Sequence, residues 1–256
     1  MGSSAQGLFA NNEETLPLAE RARPHSFDEM IPPPGVDAHL LETWKRGKGR
    51  PPSLILWGPP GSGKTTLARV LGNTFKAEFH ELSAVSVGVK EVREVTKRAE
   101  SSLAPTILFL DEVHRFNKAQ QDVLLPWIEK GTISFIGATT ENPTFSLNGA
   151  LLSRCEVVHL TGFGEETLLD VIDRALSLKG EQLTSEEKGM LLQMAQGDAR
   201  AALRTLEAFL AQRISGGVSL REFLISRSNI HYDRDGDQHF DSISAFIKSM
   251  RAGDTD

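Results

Sequence analysis

The run GPPGSGKT at residues 58–65 sets three glycines and a Lys-Thr pair at the spacing G-x-x-x-x-G-K-S/T. An apolar run, SLILW, precedes it and a good helix former, KTTLARVLG, follows. Glycine lets the backbone curl around an anion, so the N–H groups of residues 61–65 can converge on phosphate at a helix start. Unpaired donors and the helix dipole favour negative charge at that point. Lys64 then supplies a cation for the β- and γ-phosphates, and Thr65 a hydroxyl for Mg²⁺. Gly58, Pro59, Pro60, Gly61, Ser62, Gly63, Lys64, Thr65 and Thr66 are therefore read as a nucleotide-binding loop.

A second apolar run, TILFLDEVHR (106–115), ends in two acids. At the carboxyl end of a parallel strand, Asp111 shares the edge of the sheet with the phosphate loop, where open α/β sheets bind ligands. It is placed to hold Mg²⁺ through water, with Thr65, while Glu112 polarises the attacking water. His114 has no cysteine or second histidine spaced to make a metal site, so packing or a local hydrogen bond is expected of it. In FIGATTEN (135–142), Thr139 and Thr140 end the next strand, where a hydroxyl can meet a γ-phosphate or simply serve a turn. Arg154 in LLSRC and Arg200 in GDARAAL are two further cations, each by itself more readily a surface ion-pair partner than a site residue.

Positioning these groups requires strands and helices in alternation. SLILW, EFHEL, TILFL, ISFIGAT and EVVHL read as strands, with amphipathic stretches such as VKEVREVTKRAE and NKAQQDVLLPWIE between them. That pattern predicts βαβ units: an α/β fold with a parallel five-stranded sheet sandwiched by helices. After Gly162 the strands stop, and three stretches repeat apolar residues at helical spacing. Thr184 and Glu187 form a capping box at the start of the second. A small all-helical domain follows the sheet. Residues 1–24 and IPPPG (31–35) read as an irregular segment wrapping a domain, and SNIHYDRDGDQHFDSISAFIKSMRAGDTD (228–256) as a polar, turn-rich stretch with one helix. KRGKGRPP (45–52) carries four basic residues among glycines and prolines, a solvated loop or a DNA-facing patch.

With 39% hydrophobic and 24% charged residues, a chain of 256 residues is globular in composition. It has no apolar run of about 18 residues and no secretory start, so no membrane partner is expected and the location is read as cytoplasmic. One cysteine, Cys155, can make neither an internal disulfide nor, alone, a zinc site, and reads as a small buried hydrophobe. A formal charge of −6 argues against bulk electrostatic attraction to DNA and leaves nucleic-acid contact to local basic clusters, so composition neither proves nor excludes DNA.

ILWGPPGSGKTTLA, ILFLDEVHRFNKAQQD, GTISFIGATTENPTF, ALLSRC, GDARAALRTLE and YDRDGDQHFDSISAFIKSMR, in that order, resemble the AAA+ ATPases. HRFNKAQQD and GATTENP narrow the resemblance to the RarA (MgsA) family, related to Werner helicase-interacting protein and to clamp loaders, over residues 17–251. The resemblance implies a P-loop AAA+ core with its N-terminal segment (1–162), a helical lid (163–228) and the beginning of a C-terminal oligomerisation domain (229–256), cut short at Asp256. It implies roles for Thr140 as sensor 1, Arg154 as an arginine finger acting on a neighbouring subunit, and Arg200 as sensor 2, and places LAERARP (18–24) near the adenine. PPPGVDAHLL stands where the family has a glycine-glutamine pair before a histidine, so base recognition is expected to differ in detail. ATP and Mg²⁺ are the implied ligands, and a homo-oligomer in the full-length form the implied assembly. DNA-dependent ATP hydrolysis at stalled or gapped replication forks is the implied activity, nucleoid-associated, on single-stranded gaps, ends or forks. The alternative is an ATP-switched module that recruits or loads single-strand-binding protein or a replisome component, with hydrolysis only as a reset. A small-molecule kinase also uses a phosphate loop, but Arg154, Arg200 and a helical lid speak against it.

Overall fold

The computed structural model describes residues 15–232. In chain order these form α1 (Leu18–Arg21), α2 (Ala38–Lys45), β1 (Leu54–Trp57), α3 (Lys64–Thr74), β2 (Glu78–Ser83), α4 (Val89–Ser101) and β3 (Thr106–Asp111). A single 3₁₀ turn (Val113–Arg115) leads to α5 (Lys118–Asp122), α6 (Leu125–Glu129), β4 (Ser134–Thr139), α7 (Pro143–Ser146), α8 (Gly149–Leu152) and β5 (Glu156–His159). The remainder is helical: α9 (Glu165–Lys179), α10 (Ser185–Ala195), α11 (Ala199–Gly216) and α12 (Leu220–Tyr232). The chain divides into two compact units, Arg23–Gly164 on one side, residues 15–22 with the helices from Glu165 on the other.

In the α/β unit all four strand pairings are parallel and the order is β2-β3-β4-β1-β5, so the five expected strands build one parallel sheet. Alternation sends successive side chains to opposite faces. Leu54, Leu56, Ile107, Phe109, Ile136, Ala138 and Val158 pack on one side with Leu67 and Leu71 of α3 and with Trp44 of α2. Ile55, Leu108, Leu110 and Phe135 pack on the other with Val92 and Val95 of α4 and with Leu151 of α8. Both faces of the central strands β1, β3 and β4 are covered, which is why these three read as continuous apolar runs, while the edge strands β2 and β5 keep polar, more exposed positions. Cys155 belongs to the second cluster, and burial pushes its thiol up to about 12, so it behaves as the small hydrophobe expected of it.

Several local features differ from the sequence reading, among them the short α1 within residues 1–24 that read as irregular. An unanticipated helix, α2, starts where the Asp37 carboxylate accepts the His39 and Leu40 N–H groups. NKAQQDVLLPWIE divides into α5 and α6: Asn117 caps the first with a reciprocal Gln120 contact, and Pro126, lacking an N–H, removes one rung of the ladder while the backbone stays helical through Leu124. The basic stretch is not uniformly solvated. Arg50 Nη2 donates to the Ile133 carbonyl and Nε to Ser134 Oγ at 3.3 Å, and partial burial lowers its pKa. It anchors the start of β4, whereas Lys45 pairs with Glu42 at 2.9 Å and Arg46 and Lys48 are exposed.

In the helical unit Leu168, Ile172 and Leu176 of α9 bury one stripe, with Leu206, Phe209 and Leu210 of α11. Phe209 and Phe223 of α12 stand with ring centroids 5.7 Å apart. The Thr184–Glu187 capping box opens α10, Thr184 N donating to the carboxylate at 2.8 Å. Residues 15–22 group with these helices: Leu18 is fully buried and its N–H donates to Glu207 Oε1 at 2.8 Å. Among the described residues no helix is long and apolar enough to cross a membrane. α12 runs through Tyr232, into the stretch from Ser228 that reads as polar and turn-rich, and the rest of that stretch, residues 233–256, lies outside the described residues.

Candidate nucleotide site

Sheet order decides what the site can contain. β3 and β1 both flank β4 in parallel, so the phosphate loop leaving β1, the acids ending β3 and the threonines ending β4 all lie along one edge. The loop is held there by two close approaches. Gly58 N–H donates to the Thr139 carbonyl at 3.2 Å, and a Cβ on Gly58 would lie 1.9 Å from the Leu160 carbonyl oxygen, so only glycine fits. Gly63 takes the N-cap of α3 at φ 90°, a left-handed conformation that favours glycine. It has no side chain with which to cap the first turn, so the N–H groups opening α3 are left for an external acceptor.

Lys64 Nζ folds back to the Gly58 and Pro59 carbonyls, at 2.8 Å each, and so stands over its own loop. Ser62 is fully buried, and its Oγ has no hydrogen-bond partner among the described residues. An unmet buried hydroxyl costs about 1–3 kcal/mol, and a phosphate in the loop would meet it. Pro59 and Pro60 are exposed; Gly61 turns at φ 68°. Thr65 is half-buried, and the Thr66 hydroxyl accepts from Arg23 Nη1 at 2.8 Å, which ties the chain after α1 to the helix behind the loop. These residues fit a nucleoside triphosphate. Among the described residues no group of three or more His, Cys, Asp or Glu could hold a metal ion. Thr65 and Asp111 each carry an oxygen donor on this edge of the sheet.

Asp111 Oδ1 accepts the Glu112 N–H at 3.0 Å, and Glu112 leaves the strand at φ 53°, ψ 43°, one of three non-glycine residues with positive φ among the described residues. Its side chain is 34% exposed, open enough for water to reach. Thr139 is fully buried and Thr140, the next residue, is exposed at the strand end. His114 reaches beyond the packing or local bond expected of it: Nδ1 lies 2.9 Å from Thr139 Oγ1 at the end of β4 and 3.3 Å from Glu112 Oε2 just after β3, and Nε2 lies 3.6 Å from Glu141 Oε1 just beyond β4.

The two arginines are placed differently. Arg154, just beyond α8, donates through Nε to Glu129 Oε1 at 2.6 Å and through Nη1 to the Ala150 carbonyl at 2.7 Å, and Nη2 also meets Glu129. Its own chain thus provides an acidic partner that no spacing in the sequence announced. Arg200 is exposed in the first turn of α11, after the Asp198 N-cap, and belongs to the helical unit. Glu141 also escaped the sequence reading, because its place in the site depends on which strand lies beside β3.

Comparison with known proteins agrees with this geometry. The family described as "ATPase family associated with various cellular activities (AAA)" matches residues 54–162, and the AAA C-terminal domain family matches residues 178–251. The chain is 42% identical over 263 residues to replication-associated recombination protein A of Coxiella burnetii, covering 96% of this chain and 59% of that protein. It is 43% identical to the Escherichia coli K12 protein of the same name, covering 94% and 58%. ATPase WRNIP1 of Dictyostelium discoideum is 39% identical, with 93% of this chain matching 31% of that protein. The chain therefore spans less than two thirds of the length of these relatives. Among solved structures, a Thermotoga maritima RuvB variant superimposes with a TM-score of 0.67 at 25% identity, covering 89% of this chain and 85% of that one. The RuvB Holliday junction branch migration motor gives 0.65 at 24%, a likeness of fold. Phosphate loop, acid-ended β3, sheet order and relatives together show that the chain belongs to the AAA+ ATPases, in the branch of replication-associated recombination protein A.

Proposed function

We propose that this AAA+ chain is a Mg²⁺-dependent, DNA-stimulated ATPase that remodels or maintains stalled or gapped replication forks, acting in the cytoplasm at the nucleoid as part of a homo-oligomer. The observation carrying the catalytic part is the meeting of the Lys64–Thr65 loop with the Asp111–Glu112 strand end on one sheet edge. The fork assignment draws on the names of the relatives.

In this reading the N–H groups of residues 61–65 and the Lys64 ammonium bind the triphosphate, and Thr65 and Asp111, the latter through water, hold Mg²⁺. Once bound, that ion neutralises charge on the β- and γ-oxygens. Glu112 orients water and accepts its proton, and Thr140 fixes the γ-phosphoryl side of the site. Arg154 stabilises charge developing on a neighbouring subunit's γ-phosphoryl, and Arg200 reports the nucleotide's state through the helical unit, which serves as the lid.

The test is ATP turnover against protein concentration, with and without single-stranded and gapped DNA, using Lys64→Ala as the blank that binds no nucleotide. A rate per subunit that rises with both concentration and DNA is expected. A flat, DNA-independent rate in a chain that still binds ATP would move the function to the nucleotide-switched loading of a partner such as single-strand-binding protein.

For DNA contact, charge reversal at Lys45, Arg46 and Lys48 should weaken binding and flatten its salt dependence by about 1 unit of log–log slope for each phosphate that the loop no longer neutralises. Arg50 is left out of that set because reversing it would break the anchor to β4. Salt slopes equal to the parent's would assign the loop to solvent.

A further inference from the structure

We infer that His114 is a positioning residue, which fixes the side chain of Glu112 by tying it to the end of β4; this rests on Glu112 being the base proposed above. The imidazole is almost fully buried, at 5% exposure, between two elements that are far apart in sequence. Its Nδ1 faces both Thr139 Oγ1 at 2.9 Å and Glu112 Oε2 at 3.3 Å.

The hydrogen bonds of the Thr139 hydroxyl decide where the proton lies. Thr139 Oγ1 accepts the Glu141 N–H at 3.0 Å and has the Glu141 carbonyl 3.4 Å away as the acceptor for its own proton. One lone pair is left, and it faces Nδ1. A bare Nδ1 would set its lone pair against the Glu112 carboxylate, whereas Nδ1–H donates to both oxygens at once. Nε2 turns to Glu141 Oε1 at 3.6 Å, a longer contact with a 58% exposed carboxylate. The Nδ1 side is therefore the one that acts on the base.

Two further observations show what this contact is for. Glu112 sits at φ 53°, ψ 43°, a conformation that costs a non-glycine residue about 1–3 kcal/mol and persists only where the surroundings over-determine it. The Asp111 carboxylate fixes its backbone N–H, and His114 is the contact from the buried side to its carboxylate. Thr139 in turn accepts the Gly58 N–H through its carbonyl at 3.2 Å. One buried threonine thus joins the first residue of the phosphate loop, through its backbone, to the imidazole holding the base, through its hydroxyl.

Asparagine can place an amide nitrogen where Nδ1 stands; glutamine reaches the Nε2 position instead. In the full chain, under the DNA and concentration conditions giving the highest turnover, His114→Ala should lower kcat by about 10–100-fold, the scale set by a misplaced catalytic group. ATP affinity should stay within about two-fold, since the residue meets none of the phosphate-binding groups. His114→Asn should recover most of the rate and His114→Gln should not. Parent-like turnover in His114→Ala, or equal rates for Asn and Gln, overturns the inference. A measurement independent of turnover is long-range ¹H–¹⁵N correlation of the ring at pH 8.5. A proton on Nδ1 supports the assignment, and an Nε2–H ring with bare Nδ1 overturns it. Glu112→Gln separates the two readings. If that variant turns over normally the base assignment falls, whereas a dead Glu112→Gln beside normal His114 variants defeats this inference alone.

Discussion

Glu112→Gln is expected to bind ATP with an affinity within about two-fold of the parent and to hydrolyse it about 10²–10⁴ times more slowly, the range over which a general base contributes. The substitution changes one oxygen to an amide and nothing in shape. The remaining amide oxygen can still accept from His114 Nδ1, and the backbone N–H still bonds to Asp111 Oδ1 at 3.0 Å, so the left-handed turn survives. What disappears is the ability to take a proton from water. Affinity is spared because the phosphate-binding groups belong to the loop and to α3, where Lys64 and the open N–H groups are untouched. Titration with a fluorescent ATP analogue, paired with phosphate release, checks both halves. Normal binding with normal turnover would remove Glu112 from the mechanism.

Arg154→Ala should likewise bind ATP as the parent does, and turn over about 10³-fold or more slowly, the lower end of what an arginine finger supplies. Within its own chain the guanidinium pairs with Glu129 and the Ala150 carbonyl, and the side chain is 34% exposed. An ion pair this open is worth about 0–1 kcal/mol, so its removal leaves the fold intact and a fall in rate reports chemistry. The same small value means that Arg154 can exchange Glu129 for a neighbour's γ-phosphoryl at little cost. Mixing Arg154→Ala with Lys64→Ala subunits tests the direction of action. The first retains a working ATP site and the second a working arginine, so a rate above that of either variant alone is expected of a residue acting in trans. No gain on mixing, or an equal fall in a monomeric active form, would assign Arg154 to its own subunit.

These expectations draw on two levels of information. The sequence alone determined the chemistry of the phosphate loop, because glycine spacing, an adjoining helix former and Lys64–Thr65 are local properties that need no tertiary context. It determined the five strands as well, the central three because burial on both faces leaves continuous apolar runs and the edge two by their alternation with helices, and the Thr184–Glu187 cap, which spans one helical turn. Chain breaks governed by a single residue were harder to read: Asp37 as the cap of α2 and Pro126 between α5 and α6 are weak signals inside otherwise ordinary composition.

Only the tertiary structure decided the rest. Placing β4 between β1 and β3 brings Gly58, Glu112 and Thr139 to one edge, and it makes His114 a link between strands where its sequence neighbours predicted only packing or a local bond. The Arg154–Glu129 pair and the Arg50 anchor to Ile133 and Ser134 join residues 25, 83 and 84 positions apart. Side chains at such separations meet only after the sheet has formed, and no periodicity or motif records which strand will lie beside which. Local spacing carries the chemistry of backbone turns and caps; the partners of a buried or paired side chain follow from strand order, which is a property of the whole core.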